Sequence, residues 1–339
     1  MGKIYFNGVE LTETYGMEIL GRGTYGAPAR DIEQVHVPGR NGDLLFDNGG
    51  YMNYDLTYPE CCIAENFPVY GAQLRNFLLS DPGYHKLYDS YDMRHYRLAE
   101  FRGPFLPDVH TARNNQSAVF DLSFNCRPFR YLQEVGYENI IFCIGSTWKT
   151  QTVLPASADG EYTIRCVNSG SSSRTFYVYK FGSTSAIGSA TVAAGSEATI
   201  YISTDISDVL YADVTISTGG NIAIYSNGQL VYSISGNSSE QVSKIYNPYV
   251  YTALPLISTY SFVGAITVGG KTLSKPNRIY DINVDSEIRM AYRGDGTLAN
   301  SSISGDFPVL GPGLNEITVT TNDSSTVSSV RMTPRFCML

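Results

Sequence analysis

Along most of this chain apolar and polar residues alternate with a period of two, the pattern of half-buried β-strands. Val35-His36-Val37 and Leu44-Leu45-Phe46 flank the stretch Pro38-Gly39-Arg40-Asn41-Gly42-Asp43. Asn-Gly between two such runs predicts a β-hairpin. Residues 51–58 continue as a strand. Residues 69–79 break the period, because Tyr70, Leu74, Phe77 and Leu78 recur on one helical face. Pro68 before this run and Asp81-Pro82-Gly83 after it mark the ends of a lone helix. Residues 84–88 and 96–101 read as strands around a hairpin at 90–92. Residues 116–126 form a long strand, with Ala118, Phe120, Leu122 and Phe124 on one side.

Composition shifts near Pro155. From 156 to 239 the chain is rich in Ser, Gly and Thr and reads as short strands at 162–167, 175–180, 198–203, 209–217 and 221–225. That spacing predicts a compact β-sandwich that could be removed without unfolding the rest. After Tyr246 the pattern changes again to Pro-anchored strands running to Leu339. Within 156–239 the alternation puts Phe176, Val178, Ile200, Ile202, Leu210, Ala212, Val214, Ile222 and Ile224 inward. Tyr177, Tyr179, Tyr201, Tyr211 and Tyr225 then face outward. An amphipathic ring beside Thr, Ser and Asn suits carbohydrate binding by stacking and hydrogen bonding. The same tyrosines would equally cover a second sheet or a neighbouring domain.

The chain has 339 residues, 26 of them Tyr against one Trp, with a net charge of −8. That length accommodates two or three domains. No run of Lys or Arg forms a basic patch, so nucleic-acid contact is not required. No apolar stretch approaches the roughly 18 residues of a membrane span, and residues 1–8 carry no secretory signal pattern. Cys61, Cys62, Cys126, Cys143, Cys166 and Cys337 match no zinc or CxxC spacing and read as reduced thiols, consistent with assembly in a reducing cytoplasm.

Motifs for chemistry are weak. Gly21-Arg22-Gly23-Thr24-Tyr25-Gly26 fits GxGxxG, but Ala27-Pro28 follows where a dinucleotide site needs a helix, so a loop is expected. The four histidines form no HExxH pair, and there is no GxSxG elbow. Arg293-Gly294-Asp295 reads as part of a turn rather than an adhesion motif. No cofactor, metal or catalytic residue is expected.

Two ordered stretches resemble the distal tail (Dit) proteins of long-tailed bacteriophages. The first is Asp31-Ile32-Glu33-Gln34-Val35-His36-Val37-Pro38-Gly39-Arg40-Asn41-Gly42-Asp43-Leu44 with Asn48-Gly49-Gly50-Tyr51, followed by the helix and the long strand ending at Cys126-Arg127-Pro128. The second runs from Asn247-Pro248 and Ala253-Leu254-Pro255-Leu256-Ile257 through Ile282-Asn283-Val284-Asp285-Ser286-Glu287. It closes at Phe307-Pro308-Val309-Leu310-Gly311-Pro312-Gly313-Leu314-Asn315-Glu316-Ile317. Together they cover about 1–150 and 240–339. The resemblance implies an all-β protein with a tail-hub β-sandwich over 1–130 and a galectin-like β-sandwich over 131–155 and 240–339. The segment 156–239 would be an inserted β-sandwich that could bind host cell-surface polysaccharide. The implied role is structural and not enzymatic. It is a homohexameric hub in the virion, at the tail tip, that joins the tail tube protein to a tail-tip or tail-associated protein and to receptor-binding proteins, and assists host attachment. Two rivals accompany it: a polysaccharide-binding adhesin in which 156–239 does the main work, and a tail-associated glycan hydrolase with a carboxylate pair.

Overall fold

The computed structural model describes residues 2–20, 23–112, 115–133, 139–217, 220–278, 280–323 and 326–339. The chain is all-β, as its alternation predicts. It divides into two compact units, Met1–Gln133 with Leu339, and Glu134–Met338.

In the first unit the hydrogen-bonded strand order is Val9–Glu10, Ile4–Phe6, His85–Asp89, His95–Glu100, Asn115–Leu132, Tyr54–Ile63, Met17–Glu18. Asp108–Ala112 also pairs the long strand. The long strand runs past Arg127-Pro128, where a sequence reading expects it to stop. Its pairing with His95–Glu100 is broken between Cys126 and Arg130, so Pro128, which has no N–H to give, interrupts no ladder bond there.

The expected helix spans Phe67–Ser80, and it is not the lone helix of the sequence reading, because Leu11–Thr14 forms a further single turn. Its buried stripe is Phe67, Gly71, Leu74 and Leu78, while Tyr70 is exposed and Phe77 half-buried. A Cβ on Gly71 would run into the Phe67 ring, so the bare glycine lets that ring fold back over the helix. The stripe closes over a core of Ile4, Leu11, Leu56, Ile63, Leu122 and Phe124.

A buried polar knot lies beside that core. The Asp89 carboxylate accepts hydrogen bonds from Thr24 Oγ1 and Tyr58 OH, each 2.7 Å, and from the Tyr91 amide at 2.9 Å. Arg97 donates to Tyr54 OH at 2.7 Å and to the Thr24 carbonyl. The knot fixes Thr24 within a turn that leads to a strand, Arg30–Val35, and not to a helix. The GxGxxG stretch is therefore loop where it is described; Gly21 and Arg22 lie outside the described residues.

Among the described residues Arg30–Val35 pairs only with Leu44–Tyr51, as a two-stranded ribbon around the expected Asn41-Gly42 turn. Ile32, Val35, Leu45 and Phe46 are exposed on it. Opposed residues share a face, and the register pairs Glu33 with Phe46 and Val35 with Leu44 on one side, Ile32 with Asp47 and Gln34 with Leu45 on the other. Both faces of the ribbon are thus apolar.

Among the described residues the second unit contains three sheets. One has five strands, with Asn139–Ile144 at one edge, then Ser328–Thr333, Leu256–Tyr260, Ile282–Asp285 and Met290–Tyr292. One has four, in the order Thr147–Val153, Leu210–Ser217, Arg174–Lys180, Ala186–Val192. The third starts at Ser196–Ser203 and continues through Glu161–Asn168, Ile222–Ser226, Gln229–Gly236, Glu240–Asn247 and Gly313–Thr321 to Gly264–Val268, Lys271–Lys275 and Ser304–Gly305.

The segment 156–239 therefore shares hydrogen bonds with its flanks. Gln229–Gly236 pairs Glu240–Asn247, and Leu210–Ser217 pairs Thr147–Val153. One apolar cluster includes Ile164, Phe176 and Val214 from that segment along with Phe142, Ile245, Ile257 and Val319 from outside it.

Asn139–Ile144 is buried along its whole length and, among the described residues, has a strand partner on one side only. Side chains satisfy several of its other backbone groups. Gln241 accepts from the Cys143 amide at 3.1 Å and donates to the Cys143 carbonyl at 2.9 Å. Ser243 Oγ donates to the Ile141 carbonyl, Tyr232 OH to that of Ile140, and Thr150 Oγ1 accepts from the Ile140 amide. Such pairing is what buried backbone requires.

All six cysteines are free thiols. Burial pushes those of Cys61, Cys126, Cys143 and Cys166 up to about 12. They serve as small apolar residues.

Candidate functional site

The five outward tyrosines separate into two groups. Phe176 and Val178 of the four-stranded sheet face the same core as Ile164, Ile200 and Ile202 of the long sheet. Outward residues of the two sheets consequently stand on opposite sides of the unit.

Tyr177, Tyr179 and Tyr211 share the outer face of the four-stranded sheet. The Tyr179 and Tyr211 rings stack at 5.3 Å and 13°, and Tyr177 lies 6.2 Å from Tyr179. Parity is right for Tyr211, but it is buried, at 8% exposure. Beside it Asp213 is 1% exposed, accepting from Gln151 Nε2 at 2.8 Å and paired to Lys149 at 2.7 Å. Lys149 also sits 5.9 Å from the Tyr179 ring. The tyrosines on this face are engaged with one another and with a covered polar cluster.

Tyr201 and Tyr225 lie on the long sheet. The Arg165 guanidinium caps the Tyr225 ring at 3.9 Å and is itself paired to Glu197 at 2.9 Å. Tyr201 is different: it is 77% exposed. Among the described residues its ring stacks on no other aromatic and its hydroxyl has no hydrogen-bond partner.

Tyr201 borders an open groove whose other lining residues include Lys180, Ile187, Thr204, Asp205 and Asp208. The groove forms between the start of Ala186–Val192, the edge of the four-stranded sheet, and the end of Ser196–Ser203, the edge of the long sheet, away from the 193–195 connection that joins them. Val178 pairs Gly188 and Tyr179 pairs Ala186, leaving Ile187 as the extra residue of a β-bulge. A Cβ on Gly188 would come within 2.8 Å of Ile200 Cγ2, so the missing side chain lets the two edges approach.

The far wall is the 204–208 loop. Thr204 N donates to the Gly160 carbonyl at 3.0 Å. Gly160 has φ +76, and a Cβ there would strike the Thr204 carbonyl, so this clamp requires glycine. Asp208 pairs with Lys180 at 2.5 Å and accepts from Thr204 Oγ1.

Burial pushes the Asp208 carboxyl up, but the Lys180 and Thr204 hydrogen bonds, the Lys180 charge and the Asp205 backbone outweigh it and hold the group below the usual carboxylate range. A depressed folded value gives stability that is present above the unfolded value of about 3.9 and is lost as pH falls through the folded one. Lys180 is half-exposed, so the pair contributes on the order of 1 kcal/mol. An Asp208→Asn variant should melt below the parent at pH 7, with the gap closing below about pH 4. Melting curves of both proteins from pH 7 to 3 test this; a gap that stays constant would contradict it.

Arg293-Gly294-Asp295 lies in the expected turn. Gly296 N donates to the Arg293 carbonyl, and the Arg293 guanidinium packs 3.3 Å over the Tyr280 ring. Among the described residues no group of three His, Cys, Asp or Glu side chains could hold a metal ion, and no helix is long and apolar enough to cross a membrane.

Sequence reasoning found Tyr201 by parity but missed Lys180, Ile187 and Asp208. A bulge and the approach of two sheet edges bring these together, and neither has a periodic signal.

No protein-family model matches the chain, and no curated protein does. Among solved structures the chain is similar to the Dit protein of phage SPP1, described as a paradigm of the hub adsorption apparatus in phages that infect Gram-positive bacteria. The similarity covers 100% of both chains at 11% sequence identity and a TM-score of 0.40.

Proposed function

We propose that this chain is a structural tail-hub protein whose N-terminal unit closes into a homohexameric ring between a tail tube protein and tail-tip or receptor-binding proteins. The ordered motifs over residues 31–128 and 247–317 resemble distal tail proteins and supply the context. The observation that carries the reading is the ribbon Arg30–Val35 with Leu44–Tyr51. Leu45 is 64% exposed and Phe46 53%, on opposite faces. An isolated two-stranded ribbon is marginal in water, and apolar groups on both of its faces ask for cover from both sides. A neighbouring copy in a closed ring supplies that cover, since each copy gives its ribbon to one neighbour and receives one from the other.

Light scattering and negative-stain imaging of the full chain test this. The expected result is a mass six times the 37.2-kDa chain and a ring with a central channel. A monomer across the whole accessible concentration range would overturn it.

A further inference from the structure

We propose that the groove beside Tyr201 binds a neutral oligosaccharide, with the Tyr201 ring as stacking platform and the 204–208 loop with Lys180 as the polar wall. This site is separate from the ribbon and does not depend on the ring.

Four observations lead there. Tyr201 is the candidate tyrosine whose ring is left unoccupied: Tyr179 and Tyr211 stack on each other, Tyr177 leans on Tyr179, and Arg165 caps Tyr225. A large, free aromatic ring at the rim of a groove suits a ligand with both an apolar face and a polar edge. A pyranose is such a ligand, with C–H groups across one face and hydroxyls around its rim.

The bulge at Ile187 is the second observation. Inserting one residue re-aims a side chain, and here it makes an aliphatic residue line the groove with Tyr201. Without the bulge Ala186–Val192 would keep its alternation and Ile187 its place in the ladder.

Third, the polar wall is held in place before any ligand arrives. Asp208 is buried and bound by Lys180 and Thr204, and the Gly160–Thr204 clamp ties the loop to Glu161–Asn168. Preorganised donors and acceptors lose little freedom on binding. Lys180 keeps N–H donors beyond its bond to Asp208, and the exposed Asp205 carboxylate has no side-chain partner among the described residues. The groove thus offers both donors and acceptors, as a polyhydroxylated rim requires.

Charge decides the class of sugar. Two carboxylates, Asp205 and Asp208, stand against the single ammonium of Lys180. A carboxylated sugar would meet net negative charge, whereas a neutral one would not.

One ring and a few hydrogen bonds correspond to a dissociation constant of about millimolar. Saturation-transfer NMR on the full chain suits that range. The probes are cellotriose, maltotriose and tri-N-acetylglucosamine, with sialyllactose as the acidic control. Transfer is expected to at least one neutral trisaccharide and not to sialyllactose. Tyr201→Ala should weaken binding about tenfold, equivalent to ~1.4 kcal/mol, while Tyr201→Phe keeps it. The double variant Tyr177→Ala/Tyr179→Ala should bind like the parent. Tyr201 is exposed, so its removal leaves no cavity, and matching circular dichroism melts would show that the fold is intact. The proposal is overturned if no neutral trisaccharide receives transfer, if sialyllactose binds as well as they do, or if Tyr201→Ala binds like the parent. It is also overturned if binding is lost in the Tyr177/Tyr179 variant instead.

Discussion

Removing residues 156–239 and joining the ends with a short linker should unfold the second unit while leaving the first intact. Composition marks this segment as a module, but its hydrogen bonds run on into its surroundings. Among the described residues Thr147–Val153 has its only sheet partner in Leu210–Ser217, so the deletion would leave a strand whose Thr150, Gln151 and Thr152 are buried without a ladder. Glu240–Asn247 would lose Gln229–Gly236 along one edge, and the buried Ile140 carbonyl would lose the Tyr232 hydroxyl. Each orphaned buried polar group costs about 1–3 kcal/mol. Ile140, Leu154 and Ile245 belong to the same cluster as the deleted core, and uncovering each costs roughly 1.5–3 kcal/mol. A few such losses reach the ~5–15 kcal/mol by which a domain is stable. Calorimetry should show one surviving transition from residues 1–133 and no second one. If the shortened protein keeps both transitions, the segment is separable despite its shared sheets.

That contrast shows what alternation can and cannot report. It places strands well: residues 162–167 are predicted where Glu161–Asn168 forms, and 198–203 where Ser196–Ser203 forms. Alternation concerns one strand at a time, so it does not say which strand lies alongside. Ala186–Val192 is not legible as a strand because Ala, Gly and Ser give little contrast between faces, although this strand carries the bulge that shapes the groove. In the helix, Gly71 belongs to the buried stripe yet carries no side chain to announce it, and apolar periodicity puts Tyr70 inward in its place. Pro128 looked like the end of a strand because its bulge could not be seen. For the tyrosines parity gave the correct side in each case. Tyr211 is nonetheless covered, because burial of an outer face depends on what else folds over it. The Asn41-Gly42 hairpin was the most legible element, since its signal lies in a single turn.

Replacing Leu45 and Phe46 together by Asp should abolish assembly of the proposed ring and leave a folded monomer. The ribbon's register puts the two side chains on opposite faces, so the double change affects both contacts that a sandwiched ribbon makes. Each large apolar side chain covered by a neighbour contributes about 1.5–3 kcal/mol, and losing two costs at least ~3 kcal/mol per interface, more than 100-fold in association. Burying a carboxylate in its place adds a desolvation penalty. A closed ring needs every interface at once, so the loss should read as full dissociation and not as a partial shift. The protomer should not suffer, because both residues are exposed within it and neither belongs to its core. Single changes, Leu45→Asp or Phe46→Asp, should weaken the ring without eliminating it, since one apolar face remains. Light scattering over a dilution series separates the three cases, and circular dichroism confirms that each variant is folded. A double variant that still assembles to the parental mass would mean that the ring is held by another surface and that the ribbon serves some different contact.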